Sequence, residues 1–216
     1  MMGKQLLSYI YPTEIKKGTT TLGQFYELVY ENGTKVLNSQ NVNYSFGSLH
    51  QVMLKGIIKT LEFIQPKNIL MLGLGGGSAV KILRDKLPKD VQITAVEIDS
   101  DIIKIAKTDF GLVDDKFITI IEESAETALN QLNAEAFDFI IDDVFWDNTI
   151  PSFCLSENYL KNCSRVLQKE GIFFRNIMLN DEIVLSNYES ILNNLFEKID
   201  KSVVKKHGNI LYICQK

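Results

Sequence analysis

The sequence predicts an α/β fold: a doubly wound, mostly parallel Rossmann-like sheet with an antiparallel C-terminal edge hairpin, plus a small N-terminal β element and one helix. Three observations carry this. From Lys67 onward, short apolar runs alternate with segments of helical periodicity, the pattern of a parallel sheet covered on both faces. A glycine cluster, Gly73-Leu74-Gly75-Gly76-Gly77, separates the first of those runs from the helix that follows it. The final runs, Lys198 to Val204 and Ile210 to Cys214, are joined through His207-Gly208-Asn209, a link suited to an antiparallel hairpin and too short for a crossover helix.

The elements follow in order. Leu6 to Tyr11 reads as a short strand stopped by Pro12. Phe25 to Tyr30 reaches Asn32-Gly33 and resumes as Thr34 to Leu37, a strong hairpin signal. Leu49, Val52, Met53, Gly56, Ile57 and Leu61 recur at helical spacing, so a helix is expected from about Ser48 to Phe63. Asn68 to Leu72 is the first strand of the larger sheet, and Ser78 to Leu87 its first helix, ended by Pro88. Strands at Val91 to Ile98 and Phe117 to Ile121 alternate with helices at Asp101 to Phe110 and Ala125 to Leu132. Phe137 to Ile141 is a fourth strand. Ser156 then caps a helix through Leu167, which Gly171 terminates before a strand at Ile172 to Ile177. A last helix covers Glu182 to Phe196. Residues 1–47 are thus expected to form the small β element, and 48–216 the Rossmann-like domain with its leading helix.

Composition narrows the partners. With 45% hydrophobic and 23% charged residues among 216, the chain has the make-up of a globular domain and not of a disordered one. A net charge of −4 lacks the basic excess that a phosphate backbone demands, so nucleic acid is not an expected partner. The longest apolar stretch, Asn68 to Val80, is short and interrupted by glycines, so no membrane segment is expected. The first ten residues lack a signal-peptide core, and a cytoplasmic location is expected. Cys154, Cys163 and Cys214 contain no closely spaced pair, and His50 and His207 are the only histidines. A disulfide framework and a metal site are therefore not expected.

Glycines at 73, 75 and 77 would let the backbone turn sharply and let a ligand approach main-chain amides at a helix N-terminus. Glu97 lies twenty residues beyond Gly77 at the end of the next strand, about where nucleotide-binding α/β proteins hold ribose hydroxyls. Asp99 is the better candidate for capping the following helix. Asp142 and Asp143 are adjacent on a strand, so at most one faces the cleft; Asp143, at the strand's carboxyl end, is placed where open α/β sheets bind ligands.

Together, Gly73-Leu74-Gly75-Gly76-Gly77, Val96-Glu97-Ile98-Asp99, Phe137 to Asp143 and Leu167-Gln168-Lys169-Glu170-Gly171 resemble the class I S-adenosylmethionine-dependent methyltransferase superfamily, in its spermidine synthase-like branch. The resemblance spans nearly the whole chain, and it implies a nucleoside cofactor: S-adenosylmethionine or its decarboxylated form, with no metal. By that resemblance Gly73, Gly75, Gly77 and Ser78 would line the amino-acid end of the cofactor. Glu97 and Ile98 would hold its ribose side, Ser124 and Ala125 would flank adenine, and Asp143 would be catalytic. Tyr44, Phe46, His50, Phe145 and Trp146 are candidates for the acceptor site, Trp146 through the face of its ring. A homodimer is expected by the same analogy.

The chain also departs from that pattern. Aminopropyltransferases are similar in carrying an aspartate after the glycine run, where this chain has Ser78. A serine does not repel the carboxylate of intact S-adenosylmethionine, whereas an aspartate would. Their polyamine-holding tyrosine and glutamate fall on Phe46 and Ser48, and Ser124, after Glu122 and Glu123, replaces an adenine-contacting aspartate. The sequence therefore favours methyl transfer to a small acceptor. Aminopropyl transfer, or a catalytically silent nucleoside-binding or assembly module, are the alternatives.

Overall fold

The computed structural model describes residues 2–41, 43–204 and 208–216. A short helix α1 (Met2–Leu7) leads into strands β1 (Thr13–Thr19), β2 (Phe25–Glu31), β3 (Thr34–Asn38) and β4 (Asn43–Ser45). These form one antiparallel sheet in the order β1-β2-β3-β4. Asn32 and Gly33, with φ of 48° and 76°, make the β2–β3 turn that their identities predict. The expected strand at Leu6 to Tyr11 is a correction. Amides of Ser8 and Tyr11 bond back to Lys4 and Leu7 carbonyls, continuing α1 as turns, and Leu6 and Ile10 are exposed. Apolar content alone suggested the strand, but pairing with β2 starts only after Pro12.

Helix α2 (Gly47–Leu61) turns Val52, Met53 and Ile57 into the core. Gly56 allows its close approach to the larger sheet, since a Cβ there would lie 2.3 Å from the Phe174 ring.

The larger sheet contains β5 (Asn68–Leu72), β6 (Gln92–Glu97), β7 (Ile118–Glu122), β8 (Phe137–Asp142), β9 (Leu167–Ile177), β10 (Lys198–Val204) and β11 (Asn209–Gln215). Their order is β10-β11-β9-β8-β5-β6-β7. Strands β5 to β9 run parallel, and β11 enters antiparallel beside β9 with β10 outside it. The order reverses between β5 and β8. The carboxyl ends of those two strands therefore form a switch-point crevice, the usual ligand position in such sheets.

Alternation along the strands covers both faces. Ile69, Met71, Ile93 and Phe139 pack with α2, α3 (Ser78–Lys86) and α4 (Ser100–Asp109). Leu70, Leu72, Ile140 and Phe173 pack on the other face with α5 (Ala125–Gln131), α6 (Glu157–Val166) and α7 (Glu182–Leu195). A 3-10 turn at Ser152–Leu155, not foreseen from the sequence, precedes α6. Gly171 does not terminate α6 as expected. The helix ends at Val166, and β9 begins at once with Leu167 opposite Phe137. The left-handed residue is Glu170 at φ 63°; Gly171 is needed because a Cβ there would lie 2.9 Å from the Gln168 carbonyl. All three cysteines are buried free thiols.

Candidate functional site

The crevice opens above the carboxyl ends of β5, β6 and β8. Gly73, Gly75 and Gly77 all have positive φ, at 84°, 55° and 84°, so the segment after β5 turns in a way that other residues resist. Gly73 also has no room for a side chain, since a Cβ would sit 2.6 Å from the carbonyl oxygen of Asp143. The turn delivers Ser78 as the first residue of α3, lining the crevice.

Glu97, the buried last residue of β6, clasps the glycine segment. Its Oε2 accepts from the amides of Leu74 at 3.2 Å and Gly75 at 3.1 Å, and its Oε1 accepts from Asp99 at 3.1 Å. Burial raises its pKa, and these amides pull it back toward the charged form. Asp99 caps α4 by accepting from the amides of Asp101 and Ile102. Ile98, between the two acids, is 48% exposed and borders the crevice. Ser124 and Ala125 line the far wall. The Ser124 hydroxyl is already committed, accepting from the Thr127 amide as the cap of α5 and donating to Thr127 Oγ1 at 2.8 Å.

Asp143 and Asp142 diverge as adjacent strand residues must. Asp142 is wholly buried and ion-paired with Arg175, its neighbour on β9. Although burial opposes its charge, the Asp142 carboxylate keeps Arg175 protonated well above the usual guanidinium range. Asp143 faces the crevice, where Asn176 Nδ2 donates to its Oδ1 at 2.8 Å. Desolvation pushes its carboxyl up to about 7 despite that bond.

The other expected residues are dispersed. Phe145 and Trp146 border the crevice, and Trp146 is 42% exposed. Next to them Asp147 accepts from Ser39 Oγ at 2.5 Å and from the Asn41 amide at 3.1 Å, tying this loop to the small sheet. Phe46 does not line the crevice. It is buried, with its ring stacked between Phe110 and His50, so its apolar surface is spent on packing. His50 instead meets the cofactor-side candidate Ser78, Nδ1 lying 2.7 Å from the hydroxyl. Burial and nearby Lys81 lower its pKa. The side chains of Tyr44 and Ser48, and all of His207, lie outside the described residues.

Sequence reasoning missed Gln24, Ser45, Met178, Asn176 and Asn209, all of which line the crevice. Asn176 did carry a signal, since it interrupts the apolar run Ile172 to Ile177 with an amide, and buried amides need partners. Gln24 sits in a turn with no pattern to mark it. The acids bordering the crevice are Glu97, Glu123, Asp143 and Asp147, and among the described residues no lysine or arginine lines it. Among the described residues no group of three or more His, Cys, Asp or Glu could hold a metal, and no helix is long and apolar enough to cross a membrane.

The sequence and fold have known relatives. The spermine/spermidine synthase domain model matches residues 49–206. A polyamine aminopropyltransferase of Chromobacterium violaceum is 30% identical over 146 residues, 67% of this chain and 55% of that one. An eEF1A lysine and N-terminal methyltransferase of Danio rerio is 25% identical over 179 residues, 76% of this chain and 26% of that one. The chain thus spans about half the length of the first relative and a quarter of the second. Among solved structures, human methyltransferase-like protein 13 in complex with SAH superposes with a TM-score of 0.69 at 25% identity, covering 78% of this chain and 82% of that one. Spermidine synthase from Thermotoga maritima superposes at 0.71 and 15% identity, over 94% and 73%, which shows the shared fold.

Proposed function

The chain belongs to the spermine/spermidine synthase domain family, and from that premise we propose that it is an S-adenosylmethionine-dependent methyltransferase acting on a small amine. The observation that carries this reading is Ser78. It is the first residue of α3, borders the crevice and brings a hydroxyl with no charge. A helix N-terminus favours an anion, so this end of the crevice suits the carboxylate that the intact cofactor carries. With Nδ1–H of a neutral His50 donating to Ser78 Oγ, the hydroxyl proton is left to donate to that carboxylate.

The remaining residues fit a nucleoside. A carboxylate offers roughly four lone-pair sites, and Glu97 uses three on backbone amides, leaving capacity for a ribose hydroxyl. Ile98 gives exposed apolar surface beside it. Ser124 contributes through position and backbone, its hydroxyl being engaged.

When bound, S-adenosylmethionine supplies an electrophilic methyl carbon on a sulfonium. Asp143 accepts a hydrogen bond from the acceptor nitrogen, orients its lone pair and takes the proton that nitrogen sheds. A carboxyl held near 7 can do this close to neutrality. Holding the acceptor in line supplies most of the acceleration. The names of both groups of relatives refer to amine acceptors, polyamine or lysine and N-terminus.

Aminopropyl transfer from the decarboxylated cofactor is the second reading, favoured by the 30% identity to a polyamine aminopropyltransferase. Thermal unfolding with each cofactor separates the two. A ligand at a hundred times its dissociation constant adds about 2.7 kcal/mol, roughly 5–10 °C at this size. The larger shift is expected with intact S-adenosylmethionine. A larger shift with the decarboxylated form selects aminopropyl transfer, and no shift with either defeats both.

A further inference from the structure

Asp143 is the end of a chain of side-chain amides. Asn209, the first residue of β11, donates from Nδ2 to Asn176 Oδ1 at 2.9 Å, and Asn176 Nδ2 donates to Asp143 Oδ1 at 2.8 Å. Asn176 is 0% exposed and Asn209 3%. An asparagine amide can present oxygen or nitrogen in nearly the same space. Were Asn176 reversed, its oxygen would face the Asp143 carboxylate and its NH2 would face the NH2 of Asn209. The Asp143 carboxylate, which can only accept, therefore fixes the direction of Asn176, Asn209 supplies the donor that the Asn176 oxygen then needs, and Asn176 commits one oxygen of Asp143.

We infer that Asn176 is a positioning residue for Asp143, supported by Asn209, in the transfer reaction proposed above, on which this inference rests. Oδ1 is held by the amide, so Oδ2 is left to take the acceptor's hydrogen bond and proton. The amide bond favours the carboxylate form and offsets part of the desolvation at the crevice floor. The charged groups around Asp143 are Arg175 on β9, which favours its charge, and Asp142 on β8, which opposes it. Glu97 from β6 and Asp147 from the loop after β8 share the crevice. Neither Asn176 nor Asn209 can titrate, so the pair biases Asp143 without altering charge.

The test is direct titration of the Asp143 carboxyl by carbon-13 NMR in the full chain, its resonance assigned by loss in Asp143→Asn. Asn176→Leu removes the donor and is expected to raise the Asp143 pKa by at least one unit, a tenfold change in proton affinity. Asn209→Ala keeps Asn176 in place and is expected to raise it by less. An unmoved titration in Asn176→Leu overturns the positioning role, and an unmoved one in Asn209→Ala overturns the supporting role of Asn209. If Asn176→Leu fails to fold, Asn176→Ala, which also removes the donor, takes its place, and an unmoved titration there overturns the positioning role. Cofactor-induced thermal shifts of the unmodified chain report separately on the transferase reading, so failure of that reading and failure of the amide chain are distinguishable.

Discussion

Asp142 and Asp143, joined by one peptide bond, point to opposite faces of the sheet and meet different partners. Asp142 is ion-paired with Arg175 on the α6 side of the sheet, both wholly buried, whereas Asp143 turns toward α2 and the crevice and meets Asn176. The partners obey the same alternation, Arg175 and Asn176 being consecutive on β9. One acid is neutralised by a fixed cation. The other has a neutral amide as its direct partner, and burial holds its carboxyl near 7, so its proton is available near neutral pH.

The activity of Asp143 is expected to follow its ionisation. Its folded pKa is raised to about 7 from an ordinary 3.8, so the carboxylate form that accepts a proton accumulates as pH rises through 7. Transfer should increase over that window, and Asp143→Asn should lose most turnover while keeping cofactor affinity. Stability moves the opposite way. Between roughly pH 4 and 7 the folded state binds more protons at this site than the unfolded one, so the Asp143 contribution declines with rising pH. Asp143→Asn should flatten that decline in urea unfolding. An active Asp143→Asn enzyme would exclude the assigned role.

Glu97 serves both as a clasp on the glycine segment and as the proposed ribose partner. Glu97→Ala is expected to weaken S-adenosylmethionine binding at least tenfold, about 1.4 kcal/mol. The loss should extend to S-adenosylhomocysteine and methylthioadenosine, which share the ribose. Calorimetry on the three ligands checks this, and unchanged affinity would remove Glu97 from the site.

Ser78→Asp should reverse the cofactor preference. An aspartate beside the crevice repels the carboxylate of the intact cofactor and attracts the amine that its decarboxylated form retains. The ratio of the two affinities is expected to shift at least tenfold toward the decarboxylated form. Equal ratios before and after would show that this position does not read the amino-acid end.

The parts of this arrangement legible in the sequence are those written in local patterns. Alternating runs marked the sheet, the glycines marked the turn after β5, and the spacing from Gly77 marked Glu97. Asp99 was recognisable as a cap because capping is a local hydrogen bond. The Leu6 to Tyr11 segment misled because apolar composition cannot tell a strand from an exposed helical turn. Phe46 looked like an acceptor residue, but its ring is claimed by Phe110 and His50 from other elements. The pairing of His50 with Ser78 and the chain through Asn209 and Asn176 join residues 28 and 33 positions apart. Such contacts depend on tertiary packing, and nothing in the neighbouring residues announces them.

Gly73 and Gly77 share φ of 84° yet differ in surroundings, which makes them a matched test of how the crevice floor is built. At Gly77 an added Cβ meets only Leu112, at 3.7 Å, an ordinary contact. Gly77→Ala should therefore cost mainly the left-handed strain, about 1–2 kcal/mol. At Gly73 the same strain is joined by a Cβ 2.6 Å from the Asp143 carbonyl oxygen and 3.3 Å from Val144 Cα. Backbone cannot yield as a side-chain tip can, so β5 and β8 must separate at their carboxyl ends. Gly73→Ala should be the more destabilising, by at least about 1 kcal/mol beyond Gly77→Ala, and should displace Asp143 and lower turnover even where cofactor still binds. Urea midpoints of the two variants measure the difference. Equal losses would mean that the close approach of β5 to β8 is not what requires glycine there.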